Sequence, residues 1–274
     1  MKRSPFIVPL ACLLFACLIS APAEAQFRRM SDPATGERYN FELSYGFWNP
    51  TPDFQISSES LGIPGTVIDL VDDFGFEKKR LGDFRLVLRP AKKHKFRLGY
   101  VPIKYDVEGA VMKRDIVFNG QLYRVGLPVN AAADWKAWRF GYEYDFLYRD
   151  RGFLGVVLEA KYTDIDVQLA SPLTPTPEFA RAQAPIPALG IIGRGYLAKN
   201  LSITGEFTMF RLPNGEEDDY KGAYYDFDMY GTLNFTNNVG AQFGYRSLDV
   251  SYTAKEDFGD IKLKGVYFMG VVRF

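Results

Sequence analysis

Cysteine and histidine are nearly missing from this sequence: its 274 residues include two of the first and one of the second. Both cysteines, Cys12 and Cys17, fall in the first 25 positions. The remainder therefore has no disulfide, thiolate nucleophile or cysteine metal ligand, and a single His is too few for a histidine metal centre. Net charge is missing as well. The 33 Lys and Arg balance 33 Asp and Glu, so there is no basic surplus to neutralise phosphates, and nucleic acid is excluded as a partner. Beyond residue 21 no apolar run approaches the roughly 18 to 20 residues that a spanning helix needs. Aromatic residues, by contrast, are abundant. The chain has 23 Phe and 17 Tyr and is 47% hydrophobic, which excludes disorder.

The first 25 residues follow the pattern of an export signal. Lys2 and Arg3 give a positive start, Phe6 to Ile19 is apolar, and Ala23-Glu24-Ala25 is a small-residue site with cleavage before Gln26. Removing Lys2, Arg3 and Glu24 leaves 31 basic and 32 acidic residues, a formal charge of −1. A rival processing site is Leu14-Phe15-Ala16-Cys17, which resembles a lipoprotein motif except for the bulky Phe15. The reading divides the chain into a signal (1–25), a periplasmic segment (26–38) and a barrel (39–274).

The rest of the chain alternates. Strand side chains switch face at every residue, so apolar and polar residues at period two mark half-buried strands. From Lys136 to Tyr148, Trp138, Phe140, Tyr142, Tyr144, Phe146 and Tyr148 share one face, with Arg139, Gly141, Glu143 and Asp145 on the other. Segments 41–48, 153–163 and 225–235 repeat the pattern. Strands are expected near 39–48, 80–90, 94–107, 132–148, 152–170, 187–198, 201–212, 221–236, 239–253 and 260–274. The connections alternate in length. Turns at 90–93, 149–151, 199–200 and 236–238 are short; those at 49–79, 108–131, 171–186, 213–220 and 254–259 are longer.

An even strand number, short turns on one side and an aromatic apolar face describe a transmembrane β-barrel. The fold expected is all-β: an antiparallel up-and-down barrel of about ten strands, within a range of eight to twelve. Closure removes the sheet edges that lipid would not tolerate. Trp138, Tyr142, Tyr144 and Tyr225 are assigned to the lipid face, and both barrel ends to the periplasmic side.

Val266, Phe268, Gly270, Val272 and Phe274 alternate to the last residue. This resembles the C-terminal signal of bacterial outer-membrane β-barrel proteins. The resemblance implies an outer-membrane address and, as partners, outer-membrane lipids, periplasmic chaperones and the barrel-assembly machinery, which reads Val266, Phe268, Val272 and Phe274. Ile68-Asp69-Leu70-Val71-Asp72-Asp73-Phe74-Gly75-Phe76, His94-Lys95-Phe96-Arg97 and Pro185-Ile186-Pro187-Ala188-Leu189-Gly190 look like a set shared by a group of porin-like outer-membrane barrels. That resemblance spans most of the chain. It implies fold and location, carries no activity, and is read here as a monomer.

Enzymes among such barrels that use a Ser or Asp generally rely on a His near the outer rim. His94 falls instead beside a short periplasmic turn, so it is read as a polar turn residue and not a catalytic base. Asp69, Asp72 and Asp73, and Glu216, Glu217, Asp218 and Asp219, are oxygen donors without the fixed spacing of a Ca²⁺ site, and are read as solvated loop faces. No catalytic residue, metal or cofactor is assigned. Val67 to Phe76 is unusually apolar for a connection, with Ile68, Val71 and Phe74 on one face of a short helix. It either packs against its neighbours on the rim, the reading favoured, or folds over the barrel mouth or into the lumen as a constriction. Asn119-Gly120 within Ile116 to Tyr123 marks a tight hairpin that extends the third and fourth strands.

Projecting the alternation inward fills the lumen with Glu42, Arg85, Arg89, Arg97, Arg139, Glu143, Asp145, Glu159, Lys161, Arg194, Glu206, Asp226, Asp228, Gln242 and Arg246. A barrel of about ten strands is narrow. Mixed charges in it either pair into a filling network or line a narrow channel. The function expected is a non-enzymatic structural or surface barrel, or a narrow passive channel. The alternative is a lipid-modifying enzyme with a carboxylate site at the extracellular rim.

Overall fold

The computed structural model describes residues 34–59, 63–171, 178–212, 220–254 and 257–274. The export pattern, Cys17 and the acidic run 216–219 lie outside the described residues. Thirteen strands are seen among those described: β1 (Phe41–Ser57), β2 (Ile68–Asp69), β3 (Leu81–Ala91), β4 (His94–Val111), β5 (Ile116–Phe118), β6 (Gln121–Tyr123), β7 (Pro128–Arg149), β8 (Gly152–Ala170), β9 (Glu178–Ala198), β10 (Leu201–Arg211), β11 (Tyr220–Asn234), β12 (Val239–Ala254) and β13 (Asp257–Arg273). Ten of them, all but β2, β5 and β6, form one antiparallel ring. It closes where β13 pairs with β1 from Glu42↔Arg273 to Ser57↔Phe258. Closure leaves each strand a partner on both sides along the lower wall, so the backbone groups there are satisfied without water.

The ten strands are the ten expected, but they run further at the long-loop end. β1 continues to Ser57, β7 begins at Pro128, and β9 begins at Glu178. The reason is an inversion of polarity partway up the wall. On lower β1, Leu43, Tyr45 and Phe47 point outward and Glu42 and Ser44 inward. Above, Thr51, Asp53 and Gln55 point outward, and Trp48, Phe54 and Ile56 inward. β4 does the same, from Phe96 outside and Lys95 inside to Lys104 and Asp106 outside and Ile103 and Tyr105 inside. β8 switches from Leu158 outside and Glu159 inside to Asp166 outside and Val167 inside. The lower half thus has an apolar outward face and the upper half a polar one, each with the complementary interior.

The upper interior is a continuous apolar core. Trp48, Phe54, Ile103, Tyr105, Trp135, Ile165, Leu248 and Leu263 pack there from the wall. The first long connection joins them, contrary to its expected place on the rim. Ile68, Leu70, Phe74 and Phe76 are buried in this core, and Leu70 N–H donates to the Phe54 carbonyl at 2.9 Å. Val71 is only partly buried, and residues 70–74 form a helical turn rather than a helix. Water-facing strands have apolar inner faces, so the apolar loop finds burial inside.

The second long connection also departs from expectation. Asn119 and Gly120 take φ of 49° and 79°, as a two-residue hairpin turn requires. The hairpin β5–β6 is nevertheless its own two-stranded sheet and does not extend β4 and β7. The backbone bonds from Met112 N–H to the Leu127 carbonyl and from Gly126 N–H to the Met112 carbonyl pinch off the stem. The hairpin then folds down, burying Ile116, Phe118 and Tyr123 in the same core.

Two ring strands are short: β3 and β10 have 11 residues each. Above each of them the wall has a notch. Over β3, β2 pairs with the tip of β1, and the rings of Phe54, Phe76 and Tyr105 meet at 5.3 to 6.3 Å, bridging β1, the loop and β4.

Candidate functional site

The chemistry-bearing residues converge on the lower interior, because five strands each carry two charges at positions i and i+2. These are Asp83 and Arg85 on β3, Lys95 and Arg97 on β4, Glu143 and Asp145 on β7, Glu159 and Lys161 on β8, and Asp226 and Asp228 on β11. Period-two geometry sends both members of each pair inward.

Asp226 is the hub. It accepts from Arg246 Nε at 2.9 Å and Nη2 at 2.8 Å, and from Lys161 Nζ at 2.8 Å, with Arg139 Nη1 at 3.5 Å. Lys161 also meets Glu159 at 2.9 Å. Beside it, Arg85 joins Asp83 at 2.9 Å and Asp228 at 2.7 Å, and Tyr267 Oη donates to Asp228 at 2.7 Å. A second group sits on β4, β7 and β10. Lys95 pairs with Glu143 at 2.5 Å and Asp145 at 2.9 Å, while Arg97 pairs with Glu206 at 2.5 Å and Glu143 at 3.5 Å. The third group closes the short-turn end. Glu37 lies within 3.5 Å of both Arg89 and Arg194 and accepts from Tyr196 Oη at 2.8 Å, and Arg273 binds Glu42 at 2.5 Å.

Glycine makes room for the long side chains. A Cβ at Gly99 would lie 3.0 Å from Arg139 Nε, and one at Gly141 would lie 3.1 Å from Glu159 Cγ. Both charged chains therefore lie flat across a neighbouring strand.

Among the described residues of the lower interior, acids and bases are equal in number. Nine acids (Glu37, Glu42, Asp83, Glu143, Asp145, Glu159, Glu206, Asp226, Asp228) face nine bases (Arg85, Arg89, Lys95, Arg97, Arg139, Lys161, Arg194, Arg246, Arg273). Burying an unpaired ion costs several kcal/mol, so balance is a condition of the fold. The cavity among Glu42, Arg85, Arg97, Arg139, Glu159 and Gln242 is about 30 Å³, room for one or two waters. Arg246 stacks 5.2 Å over the Trp48 ring, where the charged interior gives way to the apolar core.

With this geometry in place, comparison with solved structures decides the fold. The structure is similar to the outer membrane protease OmpT from Escherichia coli. The TM-score is 0.51 over 86% of this chain and 97% of that one, at 8% sequence identity. This is the fold of a bacterial outer-membrane β-barrel. At that identity the likeness speaks of fold alone. Weaker likenesses are found to the Pseudomonas putida toluene transporter TodX (TM-score 0.39, 7% identity, 89% of this chain and 93% of that one) and to the translocator domain of the autotransporter NalP from Neisseria meningitidis (0.38, 8%, 97% of each). No protein-family model and no curated protein matches the chain.

The barrel places all fifteen residues projected inward from the alternation, Gln242 included, on the inner wall. It adds four that the projection left out. Asp83 and Lys95 precede Arg85 and Arg97 by two, and Arg273 is out of phase with Val272 and Phe274, so the alternation carried a signal for each. Glu37 lies ahead of β1 and has no periodicity to reveal it. Trp138, Tyr142, Tyr144 and Tyr225 face outward, Trp138 stacking on Tyr100 at 4.2 Å.

His94 opens β4 on the outward face. Its Nδ1 lies 2.6 Å from Tyr142 Oη, and its ring is 5.2 Å from that of Tyr144. Of the loop carboxylates, Asp69 accepts from the Val71 and Asp72 amides at 2.9 and 3.0 Å. Asp73 accepts from Asp69 N–H at 3.0 Å and from Arg114 at 3.0 and 2.6 Å. Burial pushes the Asp73 carboxyl up, but the hydrogen bonds from Arg114 and Asp69 outweigh it and hold the group below its ordinary value. Among the described residues no cluster of three His, Cys, Asp or Glu is placed to hold a metal.

Proposed function

We propose that this chain is a non-enzymatic barrel of the outer membrane whose interior is a closed structural element and not a passage. The observation that carries the reading is the lower interior: nine acids against nine bases, paired with one another around a cavity of about 30 Å³, with an apolar core above. A barrel of this strand number has room for little more than its own side chains. Loop carboxylates Asp69 and Asp73 are taken up by amides and Arg114, which favours a structural over a catalytic role for that loop.

The location rests on the apolar outward belt, including Tyr45, Phe96, Phe140, Leu158, Phe243 and Phe268, and on the export pattern of residues 2–25. In this reading the short turns face the periplasm and the water-facing half projects outside the cell as a single copy. Outer-membrane lipids cover the belt, and β13 engages the barrel-assembly machinery, after periplasmic chaperones, by strand addition. The test is flux from proteoliposomes loaded with small ions and sugars, paired with lipid extracts from cells with and without the protein. Leakage no faster than from bare lipid, and identical extracts, are expected. Rapid leakage or altered lipids would overturn the reading.

A further inference from the structure

The second notch in the wall differs from the first. β10 ends at Arg211, while β9 extends further up, to Glu178, paired with β8 from Gly195↔Gly152 to Glu178↔Leu169. β10 meets β9 only up to Leu189↔Met209. Among the described residues, no strand pairs with positions 178–188 of β9 on the side away from β8. Prolines mark this free stretch. Pro185 and Pro187 lack the N–H groups that a second neighbour would bond, just as Pro50 and Pro52 do on β1 above the end of β3. Over β3 the gap is closed by β2 and three packed rings; over β10, among the described residues, it borders a cavity of about 630 Å³.

Among the described residues, that cavity borders both faces of the wall. Its lining includes the inward-facing Ile165, Ile186, Phe210 and Val250 together with the outward-facing Arg181 and Ser251. Its size falls within the range of small-molecule sites. Its height is set by the outward faces. Leu189 and Met209, at the foot of the notch, belong to the apolar belt, whereas Arg211 and, further up, Asp164 and Arg181 are polar. The mouth thus sits where membrane gives way to water. The apolar side chains face the interior and the charged ones the rim, which matches an acyl chain with a polar end.

We propose that this notch is a lateral binding site that takes a single-chain amphiphile, such as a fatty acid, from the outer leaflet of the membrane. The chain slides between β9 and β10 to lie against Ile165, Ile186, Phe210 and Val250, leaving its head group at the rim beside Arg181, whose guanidinium is shared with Asp164 at 3.0 and 3.1 Å. The inference goes beyond a closed barrel, since it needs no axial passage.

The experiment uses the full barrel in phosphatidylcholine vesicles containing a long-chain fatty acid with a photoreactive diazirine near its methyl end. Labelled residues are mapped by mass spectrometry. Labelling of Ile165, Ile186, Phe210 or Val250, reduced at least fivefold by excess oleate, is expected beside general labelling of the outward belt. Ala184→Trp, which fills the cavity, should abolish the inward labelling and leave the outward labelling intact, with heat-modifiable gel migration showing that the barrel has folded. Ala184→Ser should label as wild type. Labelling confined to outward residues such as Leu189 and Met209 would overturn the proposal, as would inward labelling unaffected by Ala184→Trp. Equal inward labelling by a water-soluble four-carbon diazirine acid would overturn the membrane as source.

Discussion

Replacing Asp226 with Asn keeps the shape of the hub and removes its charge. Arg246, Lys161 and Arg139 then lose the acid they share at 2.8, 2.8 and 3.5 Å, and the interior passes from nine acids and nine bases to eight and nine. Lys161 keeps Glu159, and Arg246 keeps the longer contact to Asp83 at 3.7 Å and its stack on Trp48. Breaking a buried pair by removing one partner costs about 3–5 kcal/mol, a large share of the roughly 5–15 kcal/mol that holds a typical domain together. Urea unfolding in lipid vesicles, followed by Trp fluorescence, reads this loss. Asp226→Asn combined with Lys161→Met removes one charge of each sign. It should be more stable than the sum of the two single changes implies, by about 1 kcal/mol or more. An Asp226→Asn protein within about 0.5 kcal/mol of wild type, or a strictly additive double variant, would refute the paired-interior argument.

Three further outcomes follow from the same geometry. Polar replacements at Phe268, Val272 and Phe274 together should lower the amount of folded barrel in the outer-membrane fraction, because β13 both closes the ring and presents those side chains to lipid; unchanged amounts would make the terminal pattern incidental. Phe76→Ala removes a buried ring packed against Phe54 and Tyr105 and should cost about 3–5 kcal/mol in the same urea assay. The Asp73 carboxyl, held below its ordinary value of 3.8, stabilises the loop fully above that pH and progressively less as pH falls through its lowered folded value. The stability gap between wild type and Asp73→Asn should therefore be constant from pH 7 to 5 and shrink in strong acid; a gap that widens in acid would reverse the sign.

How much of this was legible in the sequence depends on which half of the wall is considered. In the lipid-facing half, alternating aromatics such as Trp138, Phe140 and Tyr142 against Arg139 and Glu143 set strand, face and interior together. In the water-facing half the same strands continue with reversed faces. There, Pro50, Thr51, Pro52, Asp53 and Gln55 fall in the connection expected at 49–79. Those prolines are tolerated because β3 pairs with β1 only as far as Trp48, leaving the next stretch of β1 free on that side. The place of Ile68 to Phe76 could not be read locally, since whether an apolar loop lies inside or on the rim depends on residues such as Tyr105 and Trp135, remote in sequence. The same holds for Glu37, whose partners Arg89 and Arg194 come from β3 and β9.

Single-channel recording in a planar bilayer tests the central claim most directly. A closed, charge-paired interior predicts no steady conductance from the wild-type barrel, and none from Arg139→Ala or Glu143→Ala, which should lose stability instead. Large, stable current steps from wild type, with ion selectivity shifted by those changes and stability unaffected, would contradict it.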